Sequence, residues 1–486
     1  MFRASILCRI APWGQWGPIV RRLLGPPPRP SLNVLAQNPD QLPDFVRQSS
    51  LARRYLDLLG PLPWEHFPER DLQRNWGQTP IPYAAFVAAC LVKLDQQLPY
   101  MASLRQYLLD HPALIWLFGF PLRPSARFPW GFDADASLPT HRHFTRMLRT
   151  MPNAALQRLL SSSVALLQAE LATHQVSLGE SLSLDTKHIL AWVKENNPKA
   201  YVSERYNKDK QPAGDPDCRL GCKRRHNQRR AAPAVLPTPL DNPVPANTLA
   251  VGEYYWGYAS GVVATKVPDA GEFVLAELTQ PFDQPDVAYF FPLMQAVEQR
   301  LGCRPKFGAF DAAFDAFYVY EYFHEVGGFA AVPFSERGGH TDRQFSAEGL
   351  PLCAAGLPMS RKYTFTDRST LVEHERGRYV CPLLFPQPTG DSCPIQHARW
   401  PKGGCVTTMA TSIGARLRYT LDRDGDAYQQ VYRQRTANER INSQAVELGI
   451  ERPKLRNGRA IANLNTLIYV LINLRALQRL RQRPPG

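Results

Sequence analysis

The sequence predicts an α/β protein: a mixed sheet with helices packed on it, interrupted by a β-rich insertion and preceded by an all-helical N-terminal domain. Three observations predict this. Apolar residues recur at three- and four-residue spacing from about residue 43 to residue 171, the signature of amphipathic helices. From residue 181 the period shortens to two, and strand-like runs alternate with helical ones, the order that builds a sheet covered by helices. Residues 335–414 then break the rhythm with Gly, Pro, Cys and short β-like runs.

Residues 1–42 are rich in Pro and Arg and are expected to form an irregular basic arm. Their apolar run is interrupted by Arg9 and Pro12 and lacks a clear cleavage site, so no signal peptide is expected. Residues 43–175 form the helical domain, through "DFVRQSSLARRYLDLL", "PYAAFVAACLVKLDQQL", "ASLRQYLLDHPALIWLFGF" and "LPTHRHFTRMLRTMPNAALQRLLSSSVALLQAELA". "SLSLDTKHILAW" (181–192) alternates as a half-buried strand, with Leu182 and Leu184 on one face and Ser183 and Asp185 on the other. Asp185 is expected at the end of that alternation.

A basic and proline-rich insertion (194–248) follows. Strands "YYWGYASGVVATKV" and "FVLAELTQPF", helix "DVAYFFPLMQAVEQRLG", strand "PKFGAF", helix "DAFYVYEYFHEVG" and strand "GFAAVPF" complete the first part of the core, 176–334. After the β-rich insertion (335–414), residues 415–486 hold "ARLRYTL" as a strand or approach segment, then a helix carrying Glu439 and an apolar last helix, 460–481.

With 57 Lys and Arg against 43 Asp and Glu, the chain of 486 residues carries a formal charge of +14. Such a surplus favours a polyanionic partner, nucleic acid foremost. No run of about 18 apolar residues is seen to span a bilayer, and "LIYVLINL" (467–474) has the size of a helix core. Nine cysteines are too sparse for a disulfide scaffold, so a cytoplasmic location is expected.

Asp185 and Asp311 close strand-like runs, and Glu439 lies on a later helix. Three such carboxylates suit Mg2+, which prefers hard oxygen ligands and keeps several waters. Two such ions hold the attacking and leaving oxygens of a phosphoryl transfer in line. On one helix, Tyr432, Arg435 and Glu439 share a face at offsets of zero, three and seven.

"SLDTKH", "FDAAFDAF" and "YRQRTANER" resemble the three acidic motifs of bacterial insertion-sequence transposases of the DDE type, in the insertion-sequence-four (InsH-like) group. The resemblance spans roughly residues 45–480. It implies an RNase H-like catalytic domain, a helical N-terminal domain expected to bind DNA, and a β-rich insertion before the glutamate helix. By position it implies Asp185, Asp311 and Glu439 as catalytic metal ligands for two Mg2+ ions, with Mn2+ as a substitute.

The family's tyrosine, arginine and glutamate fall on Tyr432, Arg435 and Glu439, as DNA and metal contacts. Its final basic residue falls on Val446, a departure, for which Arg440, Arg452 or Lys454 offers a replacement. The partners implied are double-stranded DNA, as terminal inverted repeats and target, and a second copy of the chain in a homodimeric synaptic complex. No membrane is expected, and the protein would act at the bacterial nucleoid.

Plainer readings stand beside these. An Asp after a strand is commonly a cap or turn residue, and Arg435–Glu439 can be an ordinary i,i+4 ion pair on a solvated face. Asp315, the rival of Asp311, reads as a helix cap or first-turn acid. The basic run including Lys223, Arg224 and Arg225 is either a soluble loop or a DNA-backbone contact. Cys218, Cys222 and His226, and Cys381, Cys393, His397 and Cys405, each invite a zinc reading without a tight pair-plus-pair spacing. His188 reads as a polar residue at a sheet end or a DNA contact, and Trp256 and Tyr258 as packing residues. An inactive DNA-binding descendant of a transposase and a nonspecific metal nuclease are the other functions these residues allow.

Overall fold

The computed structural model describes residues 29–70, 80–223, 253–335 and 343–482. Two compact units result, one of Met1–Ala88 with Tyr107–Leu138 and the other of Ala89–Gln106 with Pro139–Gly486.

The first unit is mainly helical. It contains α1 (Leu32–Gln37), α2 (Asp44–Arg47) and α3 (Ser50–Leu59), and α4 (Tyr83–Asp95) and α5 (Met101–Asp110) run out of it and back into it. Helix α6 (Pro112–Leu117), the two-residue strands β1 (Arg123–Pro124) and β2 (Phe132–Asp133), and α7 (Ala134–Ser137) complete it. Helix α1 falls inside the expected irregular arm, because Leu32 and Leu35, one turn apart, are both buried.

The second unit opens with α8 (His141–Thr150) and α9 (Asn153–Thr173), which the sequence had assigned to the helical domain. Helix α9 instead buries Val164, Leu167 and Leu171 in the same core as the sheet residues Leu182, Leu184 and Val263. The sheet is built from β3 (Ser181–Leu190), β4 (Arg219–Lys223), β5 (Glu253–Val267) and β6 (Gly271–Pro281). Helix α10 (Phe290–Leu301) leads to β7 (Phe307–Ala309), and α11 (Phe317–His324) to β8 (Phe329–Ala331).

Strands run in the order β4–β5–β3–β7–β8, with β6 also paired to β5. β3, β5 and β6 are antiparallel neighbours, while β7 and β8 run parallel to β3. Each parallel crossover carries a helix, as such connections require.

The β-rich segment forms a separate antiparallel sheet of β9 (Ser360–Asp367), β10 (His374–Val380) and β11 (Val406–Ala410), in the order β11–β10–β9. Its small core is Met359, Tyr379, Met409, Ala410 and Ala415. "ARLRYTL", expected as a strand or approach segment, is helical in α12 (Ile413–Thr420). Gly414 explains the close packing there: a Cβ would lie 2.0 Å from the Phe317 carbonyl oxygen of α11.

Three elements finish the chain: α13 (Asp426–Tyr432), α14 (Thr436–Glu447) and α15 (Gly458–Arg481). By length and composition α15 is apolar enough to cross a membrane, but 89% of its apolar window is buried inside the protein. Its asparagines show what it is for: Asn463, Asn465 and Asn473 are all fully buried and bonded to neighbouring elements. Such a helix is a core element of this unit.

Candidate active site

Parallel pairing of β3 with β7 covers only Ser181 to Ser183, and the last partners are Ser183 and Ala309. Asp185 and Asp311 each lie two residues beyond that pair. β7 has ended there, whereas β3 continues to Leu190 along β5. Asp185 is therefore in mid-strand and not at its end, since antiparallel pairing with β5 continues from Thr186 to Leu190. Asp311 leaves the sheet and caps a short 3-10 turn, Ala312–Phe314, accepting from the Ala313 N–H at 2.9 Å.

The Asp185 carboxylate accepts from its neighbour Thr186 N–H at 2.9 Å and from Asn442 Nδ2 of α14 at 3.1 Å. Burial pushes its pKa up from the ordinary 3.8 to about 6. The charges of Asp311 and Asp286 push the same way, and the Thr186 N–H and Arg435 oppose them. Carboxylates that repel one another favour a cation between them.

The stretch quoted as one helix is two helices joined by a 3-10 turn, Arg433–Arg435. Its backbone stays in the right-handed helical region throughout, so only the hydrogen-bond pattern tightens and the common face survives. Arg435 Nη2 donates to Glu439 Oε1 at 3.1 Å, and the guanidinium lies 5.9 Å from the Tyr432 ring. This is the i,i+4 pair of the plainer reading. Arg435 also feels the charge of Asp185, so it links the glutamate helix to the strand aspartate. Tyr432 stacks on Tyr428 at 5.7 Å and packs against the cluster under β8.

Other expected contacts resolve differently. Arg440 is bound to Glu272 at 2.5 Å, because α14 lies across the β5–β6 hairpin. Val446 is partly exposed on α14. Lys223 ends β4, with its side chain outside the described residues, as are Arg224, Arg225 and His226.

Asp315 does not cap α11, whose N-cap is Ala316. Burial opposes its ionisation, but Arg418, the Ser335 N–H and the Tyr320 hydroxyl hold it below the usual carboxylate range. Its pair with Arg418 (2.5 Å) ties α12 to the core.

Cys218 is buried, with its thiol on the Asp215 carbonyl oxygen. In the β-rich module, burial and the neighbouring Cys381 and Cys353 thiols push the Cys405 thiol up to about 12. Cys381 and Cys405 flank the β10–β11 register pair Val380 and Val406, whereas Cys353 comes from a turn absent from the expected set. His188 packs edge-on against Phe282 at 4.4 Å. Trp256 and Tyr258 are buried, each with a hydrogen bond from its polar tip.

Sequence reasoning missed Asp286, Asn438 and Asn442. Asp286 accepts from the Thr186 hydroxyl at 2.8 Å. Asn438 is fully buried with neither side-chain polar atom bonded among the described residues, and Asn442 Oδ1 is likewise unmatched. Asparagines at 438 and 442, one turn apart, were the available signal.

Among the described residues, no group of three His, Cys, Asp or Glu side chains is gathered closely enough to hold a metal ion. Asp185 and Asp311 are hard oxygen donors whose charges repel, the donor type that a divalent cation takes. Glu439, as arranged, is engaged by Arg435. No protein-family model matches the chain, and no curated protein matches it.

Proposed function

We propose that this chain is a DDE-type DNA transposase on an RNase H-like fold. It would cleave at the ends of an insertion sequence and join the freed 3′ hydroxyl to target DNA. The observation that carries this reading is that Asp185, within β3, and Asp311, just past the end of β7, each lie two residues beyond the last pair of those parallel strands, with the Arg435–Glu439 pair on elements packed beside them. The strand order β6–β5–β3–β7–β8, antiparallel in its first half and parallel in its second, supports the fold assignment.

Asp185 and Asp311 would hold the divalent cation, with Glu439 as the third acid. When bound, Mg2+ or Mn2+ supplies the positive charge that steadies the attacking and leaving oxygens of an in-line displacement. The chain's own residues do the positioning. Thr186 N–H and Asn442 orient the Asp185 carboxylate through separate oxygens. Arg435 offers a planar fork of donors to a phosphate next to these acids. Double-stranded DNA, as inverted repeats and target, is the substrate, and joining two ends together calls for a homodimer.

Purified protein incubated with Mg2+ and DNA bearing the terminal repeats that flank its coding region should nick at the element ends. Asp185→Asn should abolish nicking while DNA binding persists. A second reading, a catalytically inactive DNA-binding relative, draws on the Arg435–Glu439 ion pair and on Val446. Binding without nicking by the wild-type protein would select it, and cleavage indifferent to the end sequence would select a nonspecific nuclease.

A further inference from the structure

We infer that residues 451–458, between α14 and α15, form a track for the phosphate backbone of DNA, set apart from the carboxylate pair. The inference rests on the reading of DNA as substrate. Exposure alternates along the segment: Arg452, Lys454 and Arg456 are exposed, and Pro453 and Leu455 between them are buried. The buried apolar pair anchors the segment, and the three cations stand on its exposed side. A strand of duplex DNA presents one charge per about 3.4 Å of rise. Three exposed cations on one segment would meet the charges of such a strand.

The track is built in advance of any ligand. At its start, Glu451 O accepts from Leu190 N–H at 2.8 Å, and the Glu451 carboxylate holds Lys187 at 2.6 Å. At its end, the Asp217 carboxylate accepts from Asn457 Nδ2 at 2.7 Å and from Gly458 N–H at 2.9 Å. Asn457 turns the chain there with φ +84° and ψ 129°, and its side-chain oxygen accepts from the Ala460 N–H to cap α15. A surface ordered this way loses little freedom on binding.

Trp192, 44% exposed, lies under the last two cations, 5.8 Å from Lys454 Nζ and 5.1 Å from the Arg456 guanidinium. The ring and its carbonyl oxygen, which accepts from Arg456 Nε at 3.0 Å, hold these cations without neutralising them. None of the three pairs with a carboxylate among the described residues.

Arg452 and Lys454 also line a cavity of about 190 Å3 with Glu447 and Lys93. Lys93 is 9% exposed, and burial pulls its ammonium below the usual lysine range. A wall with three cations and one carboxylate is completed by an anion. Trp192 follows Asp185 by seven residues, roughly 20 Å along an extended chain, or about six base pairs of duplex. One duplex can thus touch both places.

The test is fluorescence anisotropy with labelled repeat-ended duplex in EDTA across a KCl series. The triple variant Arg452→Gln, Lys454→Gln, Arg456→Gln should show a slope of log affinity against log salt shallower by about 3. Its affinity should fall about tenfold or more, with an unchanged melting temperature. The charge-keeping variant Arg452→Lys, Arg456→Lys should retain the wild-type slope. Equal slopes for the triple variant and a DNA-binding wild type would overturn the track and leave the transposase reading standing. A wild type with no affinity for duplex would overturn that reading itself.

Discussion

Replacing Asp185 by asparagine should stabilise the cation-free protein while removing its activity. The carboxylate is raised from 3.8 to about 6 in the folded state. Each pKa unit corresponds to about 1.4 kcal/mol, so its ionisation destabilises the fold by at most about 3 kcal/mol at neutral pH. The sign follows from proton binding. The folded chain holds this proton more tightly than the unfolded one, so the stabilising share is fully present below 3.8 and is lost as pH rises through about 6. Asparagine has nothing to ionise, and Asn442 Oδ1, unmatched in the wild type, can accept from the new amide.

Thermal melts in EDTA are the assay. For a unit of this size, a gain of about 1.5–3 kcal/mol raises the midpoint by about 2–4 °C at pH 7.5. The difference should shrink toward zero near pH 4, and added Mg2+ should raise the wild type alone. A variant that melts lower at pH 7.5, or a difference independent of pH, would refute the reasoning.

Glu277 is fully buried on β6, and burial pushes it up to about 7 despite hydrogen bonds from Thr466, Gln157 and Thr279 and the nearby charge of Arg300. Its share of stability is therefore lost as pH rises from 4.5 to about 7, and Glu277→Gln should flatten that decline in pH-dependent melts. Asp315→Ala leaves Arg418 without its buried partner and should cost about 3–5 kcal/mol, read as a lowered urea midpoint.

The strand that carries Asp185 was legible because "SLSLD" alternates polar and apolar residues, which predicts a strand there. The Arg435–Glu439 pair was legible because i,i+4 spacing is local. Contacts made across the fold were not. Asn442 meets Asp185 from 257 residues away, and Asp286 meets Thr186 from 100 away, distances over which periodicity carries no register. Helix α9 was placed in the wrong unit for the same reason: its apolar stripe predicts that it packs, not on what. "ARLRYTL" misled because a short apolar run fits a strand or a helix until Gly414 meets α11.

The central claim is that Asp185 and Asp311 hold a divalent cation beside the Arg435–Glu439 pair. Its most direct test is a crystal of the protein with repeat-ended DNA, soaked in Mn2+ and measured at the manganese absorption edge. The account predicts anomalous density ligated by the carboxylates of Asp185 and Asp311, lost in Asp185→Asn. Density absent there, or bound elsewhere while these two carboxylates stay unligated, would contradict it.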